Sequence, residues 1–206
     1  MAKDGIMDLI RLPQTEPSPG QPLERLLAQR RCERKYARRS VTLANATSLL
    51  WAAQGVSNAD DLRTAPSAGA LHPMEIYLAA GDVNELLPGI YRYLPIDGAI
   101  RSVAEGDRRA ALAAGALGQA WLGDAALILI IAANYEHSTW KHGRRGIRYV
   151  HMEAGHVAQN VLLMAATLDL RAAVVGAFDD KRVASVTELA GDQTPLYLLP
   201  VGYPRN

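Results

Sequence analysis

Six consecutive aliphatic residues, Leu127 to Ala132 (LILIIA), leave no polar position through which one face could meet water. Such a run reads as a strand buried on both faces, so apolar layers must lie on either side of a sheet. The surrounding apolar stretch, 125–133, is nine residues long and too short to cross a bilayer. Composition can supply the layers: 49% of the 206 residues are hydrophobic and 21% charged, which excludes a largely disordered chain. Lys+Arg 22 against Asp+Glu 21 leaves +1, which argues against nucleic acid as a partner. A single cysteine, Cys32, excludes an internal disulfide and a multi-cysteine metal site, and no metal is expected. The first ten residues, MAKDGIMDLI, carry acids and no apolar signal core, so the expected location is cytoplasmic and no membrane partner is expected.

Helical and strand periods alternate irregularly around this run. Residues 12–22 hold four of the eleven prolines and no apolar period, and 1–22 reads as an extended leader ahead of one domain at 23–206. Helices are expected at 23–31, with Pro22 at its first position and Leu23, Leu26 and Leu27 on one face, and at 43–54, stopped by Gly55. Further helices are expected at 108–117, at 151–168 and after Asp179. Strands are expected at 74–79, 127–132, 172–175 and 195–201, with a hairpin of 89–94 and 99–103 closed at Gly98. The order is mixed, and the fold class is α+β.

Five segments invite chemistry, each with a plain alternative. Arg30-Arg31-Cys32-Glu33-Arg34 could grip a phosphate monoester, or could be a solvated helix end. Pro66 to Pro73 (PSAGALHP) could bring small residues and the Ser67 hydroxyl against a flat ligand, or simply connect two elements. Gly155, inside EAGHVAQN, costs a helix about 1 kcal/mol, which close packing could offset. His151 and His156 are five apart, as are His137 and His142, a spacing that suits structural histidines better than a metal pair. Val174 to Asp179 passes from strand to helix through Gly176 and Ala177, whose N–H groups could face a ligand, with Asp179 as cap. Gly143-Arg144-Arg145-Gly146 has the GXXG form of a KH-like nucleic-acid clamp, a bare and weak signal.

In order, the segments resemble the FMN-dependent nitroreductase superfamily, and within it the SagB-type dehydrogenase branch. The resemblance rests on RRCERKY (30–36), LLWAAQG (49–55), PSAGALHP with MEIYLA, PGIYRYLP (88–95), GQAWLGDA (118–125), EAGHVAQN (153–160), VGAFDD (175–180) and PLYLLPVGYP (195–204). It implies a central, mostly antiparallel sheet flanked by helices in an intertwined homodimer, with FMN at the subunit interface. Motif by motif, it puts Arg30, Arg31, Cys32 and Arg34 at the FMN phosphate and ribityl chain, Cys32 replacing the usual serine. Pro66, Ser67, Ala68, Gly69 and Leu71 correspond to the partner's loop against the flavin. Gln119 falls at the ring's polar edge, Gly176 and Ala177 at its reactive edge, and Arg205 beside the phosphate. The implied activity is hydride transfer to or from a small-molecule or peptide substrate, with NAD(P)H as one donor. The azoline-to-azole dehydrogenases of this branch use a Lys-Tyr pair; here the matching residues are Lys141 and His142, so azoline oxidation and a broader nitro- or quinone-reducing activity both stand.

Overall fold

In a computed structural model of the chain, the described residues are 9–14, 20–58 and 61–205. Most of the proline-rich leader, residues 1–8 and 15–19, lies outside them. Leu9–Arg11, inside the expected leader, is instead an edge strand, β1. The other strands are β2 (Met74–Ala80), β3 (Gly89–Leu94), β4 (Ala99–Glu105), β5 (Leu127–Asn134), β6 (Arg171–Ala172) and β7 (Gln193–Gly202). They form one sheet in the order β1-β4-β3-β2-β5-β7-β6, with every strand pair antiparallel. The helices are α1 (Leu23–Gln29), α2 (Leu43–Gln54), α3 (Arg109–Gly115), α4 (Glu136–His142), α5 (Arg145–Thr167) and α6 (Asp180–Thr187).

The aliphatic run behaves as its composition demands. All eight residues of β5 are buried. Leu127, Leu129 and Ile131 point to the core under α2 and α5; Ile128, Ile130 and Ala132 point to a second core with α3 and α6. Each fully buried Leu or Ile contributes about 1.5–3 kcal/mol, so this strand alone is a large share of the driving force. Along α5, Val150, Ala154, Val157, Val161 and Ala165 follow the helical period and lie at 1% exposure or less. Thr42 caps α2 by accepting from the Asn45 N–H at 3.2 Å, and Asp179 caps α6 by accepting from Arg182 at 2.9 Å.

Five expectations are corrected: the start of α5, the GRRG clamp, the strand at 172–175, the apolar face of α1 and the place of Pro22. Helix α5 begins at Arg145 rather than His151, and 136–142 forms the separate helix α4. The GRRG segment is the joint between them. Gly143 turns the chain at φ +56°, and a Cβ on Gly146 would sit 2.8 Å from the Ser138 carbonyl carbon. These glycines join helices and form no clamp. The strand expected at 172–175 stops at Ala172, returning to the sheet only at the Val175–Leu198 bridge. Opposite the gap stands Pro200, which offers its carbonyl to the Ala173 N–H but has no N–H to return. On α1 only Leu26 is buried; Leu23 and Leu27 are more than half exposed. Pro22 is the cap of α1 rather than its first residue. Gly155 packs against nothing within the chain, since a Cβ there has no neighbour within 4 Å.

Candidate active site

The RRCERKY segment runs beside the β6 edge of the sheet. Cys32 bridges Ala172, and the Glu33 N–H donates to the Ala172 carbonyl at 3.2 Å. Glu33 Oε1 then accepts from the N–H groups of Arg34 and Lys35, both at 2.9 Å, which bends the backbone back on itself. Tyr36 pins the segment to the core: its hydroxyl lies 2.8 Å from the Glu33 carbonyl and 3.0 Å from that of Pro200. Burial holds this phenol protonated, its pKa raised well above the usual range.

The bend leaves cations on the outside. Arg31, Cys32 and Arg34 are exposed and Arg30 is half-buried, and the three ion pairs among the described residues use none of them. Arg34 lies over the Trp121 ring, 5.6 Å from its centroid. Trp121 belongs to the short 3-10 turn Ala120–Asp124, and Gln119 caps that turn. Gln119 Nε2 donates to the carbonyls of Ala116 and Ala177, at 3.0 and 3.1 Å. Arg34 is thus linked through Trp121 and Gln119 to the turn at Gly176 and Ala177, while Arg30, Arg31 and Cys32 lie along the β6 edge with bonds only within 28–32 and to Ala172. Gly176 and Ala177 are themselves exposed, and a Cβ on Gly176 would come within 3.4 Å of the Tyr197 ring.

Arg205 joins this region only partly. Its N–H donates to the Lys35 carbonyl at 3.2 Å, while its side chain lines a cavity of about 810 Å³ with Arg38, Asp82, Arg109 and Asp124. Arg30, Arg31 and Arg34 do not line that cavity. Arg39 stacks on Tyr203, its guanidinium carbon 3.7 Å from the ring centroid.

The loop at 66–73 forms a second cluster with different neighbours. Three of its residues hold positive φ: Gly69 at +68°, Ala70 at +54° and His72 at +46°. For Ala70 and His72 this conformation costs about 1–3 kcal/mol each. Ser67 Oγ accepts from the His72 N–H at 2.9 Å, and its hydroxyl is near enough to Glu153 to favour that carboxyl's ionised form. On the loop's other side, a Cβ on Gly69 would lie 3.1 Å from Lys141 Nζ and 3.4 Å from His142 Nε2. Lys141 and His142 end α4, and the His142 ring meets Tyr149 of α5 edge to face at 5.2 Å. Nearby, Tyr135 Oη and His151 Nε2 share a 2.6 Å hydrogen bond.

Sequence reasoning passed over Glu153, Gln54 and Trp121 as site residues, although each lies in a motif. The available signal is polarity at core-facing helix positions: Gln54 is one turn after Leu50, and Glu153 one turn before Val157.

Comparison with known proteins decides the class. The sequence matches the nitroreductase family over residues 27–203. The chain belongs to that family. This nitroreductase is similar to the Methanocaldococcus jannaschii protein MJ1384, named for a nitroreductase, with 43% identity over 180 residues, 87% of this chain and 90% of that one. A crystal structure from Ralstonia eutropha, likewise designated a nitroreductase, superposes with a TM-score of 0.84 at 28% identity, covering 98% of this chain and 92% of that one. McbC of Escherichia coli, the microcin B17-processing protein, is 30% identical over 132 residues, 62% of this chain and 48% of McbC, so the match spans about half of McbC. The E. coli microcin synthetase McbBCD, solved with truncated pro-MccB17 bound, matches with a TM-score of 0.75 at 25% identity over 84% of this chain and 68% of that one. The chain is thus a nitroreductase-family oxidoreductase enzyme with the family's α+β fold. Among the described residues no helix is long and apolar enough to cross a membrane.

Proposed function

We propose that this nitroreductase is an FMN-dependent oxidoreductase of the SagB-type branch, working as a homodimer with the flavin between subunits. One observation carries the reading: Arg34, without an ion-pair partner among the described residues, lies over Trp121, and Gln119 at the start of the Trp121 turn donates to Ala177 in the small-residue turn. The donor set suits FMN. Arg30, Arg31 and Arg34 carry no ion pair among the described residues, so a phosphate dianion would supply the missing countercharge. Cys32 contributes a weak thiol donor where a serine would be stronger.

When bound, FMN supplies a centre that accepts hydride from a donor such as NAD(P)H and delivers it to an acceptor. The chain's own residues bind and orient. Arg30, Arg31 and Arg34 hold the phosphate, and Arg205 adds charge from the neighbouring strand end. Gly176 and Ala177, lacking bulky side chains, admit a flat ring to their backbone N–H groups, and Gln119 fixes that turn. The loop from Pro66 to Leu71 closes over the ring from the second copy, bringing Lys141 and His142 with it. Exposed Ile147 and Met152 on α5, and the open space at Gly155, support a second copy packing on this helix.

Denaturing the purified protein and identifying the released chromophore tests this reading; FMN is expected, and a colourless protein that takes up none overturns it. A second reading, azoline oxidation on a peptide, is supported by the likeness to McbC and by Lys141 Nζ standing over Gly69, where it could take a proton from substrate carbon. Stopped-flow bleaching with an azoline peptide and with NADPH in parallel separates the two. Lys141→Ala abolishes only the azoline-driven phase if the second reading holds.

A further inference from the structure

Cations gather at the elbow between α4 and α5. From His137 to Met152 the chain holds Lys141, Arg144, Arg145 and Arg148 and not one acid, in a protein whose net charge is only +1. All four are exposed, and no ion pair among the described residues uses them. Trp140 stands among them, 73% exposed, whereas Trp51 and Trp121 are half-buried. It follows Ser138 by two residues, about 200° round the helix. Ser138 is the buried residue by which α4 meets Gly146 of α5, so Trp140 faces away from α5. Arg145 lies over the Tyr149 ring at 6.0 Å, and Lys141 stands beside Gly69 of the 66–73 loop. The elbow itself is stiff. The Gly143 N–H donates to the Thr139 carbonyl at 2.7 Å, and the Gly146 N–H to the Gly143 carbonyl at 2.9 Å. A Cβ at Gly146 would lie within 2.9 Å of the Ser138 backbone, which fixes one helix on the other.

We propose that this elbow is a docking surface for an acidic, extended peptide segment, with Trp140 as apolar anchor and Lys141, Arg144 and Arg145 as countercharges. The argument is one of charge and residue type. Four cations without a single acid among them lack the partner that carboxylates would supply, and guanidiniums grip carboxylates two bonds at a time. Tryptophan, tyrosine and arginine are the side chains that carry most binding energy where proteins meet, and this elbow presents all three. Because the two helices are already fixed, little ordering cost falls due on binding. Other occupants fit less well. Nucleic acid calls for a broad basic field, which 22 cations against 21 acids do not provide, and the GRRG glycines are taken up by the helix joint. A lipid surface calls for a longer apolar face than one tryptophan on a seven-residue helix. A second copy of the chain is assigned above to Ile147, Met152 and Gly155 of α5, and Trp140 faces away from that helix. A peptide docked at the elbow runs past Lys141 and Gly69, where the azoline reading needs its substrate. That functional part rests on the azoline reading; the docking itself does not.

Fluorescence anisotropy on the full-length protein tests the docking directly. The probe is a labelled synthetic peptide of about twelve residues made of Glu, Asp and Leu. Its counterpart carries Gln and Asn in place of the acids, and a labelled oligouridylate of equal charge stands in for RNA. The acidic peptide is expected to bind saturably and at least about tenfold more tightly than its amide counterpart, and to weaken as salt rises from about 50 to about 300 mM. Trp140→Ala should weaken it about tenfold, and Arg144→Gln with Arg145→Gln by at least as much. Arg25→Gln, which removes the same charge from exposed α1, should leave binding unchanged. All of these side chains are exposed, so the variants should fold, and urea unfolding of each preparation verifies it. Equal binding of the acidic and amide peptides, or affinities that ignore Trp140 and both arginines, overturns the proposal. So does tighter binding of the oligouridylate than of the peptide. A protein that takes up no FMN defeats the flavin reading, while the peptide titration still decides the docking surface.

Discussion

The two halves of the candidate site are built on opposite plans. At the Arg30–Arg34 edge Arg31 and Arg34 are exposed, Arg30 is half-buried, and none of the three has an ion-pair partner among the described residues. At the 66–73 loop the Ser67 hydroxyl is tied to the His72 N–H of the same loop, Gln54 donates to the buried Glu153 nearby, and the backbone carries the strain. The first half waits for a ligand to complete its electrostatics; the second is pre-organised at the protein's own expense. Changes at the edge should therefore register in ligand affinity and leave stability alone. Changes at the loop should register in stability and pH dependence before any ligand is added.

The largest expected effect is at Glu153. Its folded-state pKa, about 7, is above the ordinary 4.5. The folded protein thus holds an extra proton between those values, and stability is fully present below 4.5 and lost as pH rises through 7. The loss at about pH 8 amounts to about 3 kcal/mol, and Glu153→Gln should abolish it. Urea unfolding of both proteins across this range measures the difference; parallel curves would mean that Glu153 has no raised affinity for protons.

Slightly smaller is the effect expected at the edge. Arg34→Glu should weaken FMN binding about a hundredfold, or about 2.7 kcal/mol, by turning a phosphate partner into a repulsive charge. Arg39→Glu should change affinity by less than about threefold, because Arg39 is spent on Tyr203. Neither should lower the unfolding free energy by more than about 1 kcal/mol, the worth of the ring contact each arginine gives up. Flavin-fluorescence titration and urea unfolding on the same preparations test both halves of that statement. Equal losses of affinity at the two arginines would reduce the site to a count of positive charges.

These contrasts also explain which features the sequence discloses. The sheet's centre is legible because LILIIA has no polar position, and the α2 boundaries because Thr42 and Gly55 punctuate an apolar stripe. The arginine edge is legible as a motif, since its chemistry lies in five consecutive residues. Helix α4 is not, because EHSTWKH has no apolar period of its own and is held by the close approach of Ser138 to Gly146 of α5. The buried polar contact at Glu153 is hidden for a related reason: Gln54 is 99 positions away, and only folding brings it to the carboxyl. Strand β1 escapes because three residues, Leu9–Arg11, paired only with β4 leave no period to read.

A smaller effect separates two regions of the same helix, and two glycines of α5 measure it. Gly146→Ala places a methyl 2.8–2.9 Å from the Ser138 backbone, which cannot move without shifting α4. The expected cost is about 2 kcal/mol, with the Lys141–His142 end displaced from Gly69. Gly155→Ala meets nothing inside the chain, and alanine is the better helix former by about 1 kcal/mol. In an isolated chain the second substitution should therefore stabilise by roughly that amount. If a second copy packs on α5 at this point, the same methyl intrudes on the neighbouring helix. The gain should then vanish at high protein concentration, while the dimer dissociates more readily. Unfolding measured across a hundredfold range of concentration, beside sedimentation of the same samples, distinguishes these outcomes. A uniform gain of about 1 kcal/mol at every concentration would leave the Gly155 face solvent-exposed and remove it from any subunit contact. A gain that appears only on dilution assigns the open space at Gly155 to the second subunit, and with it the side from which the 66–73 loop reaches the arginine edge.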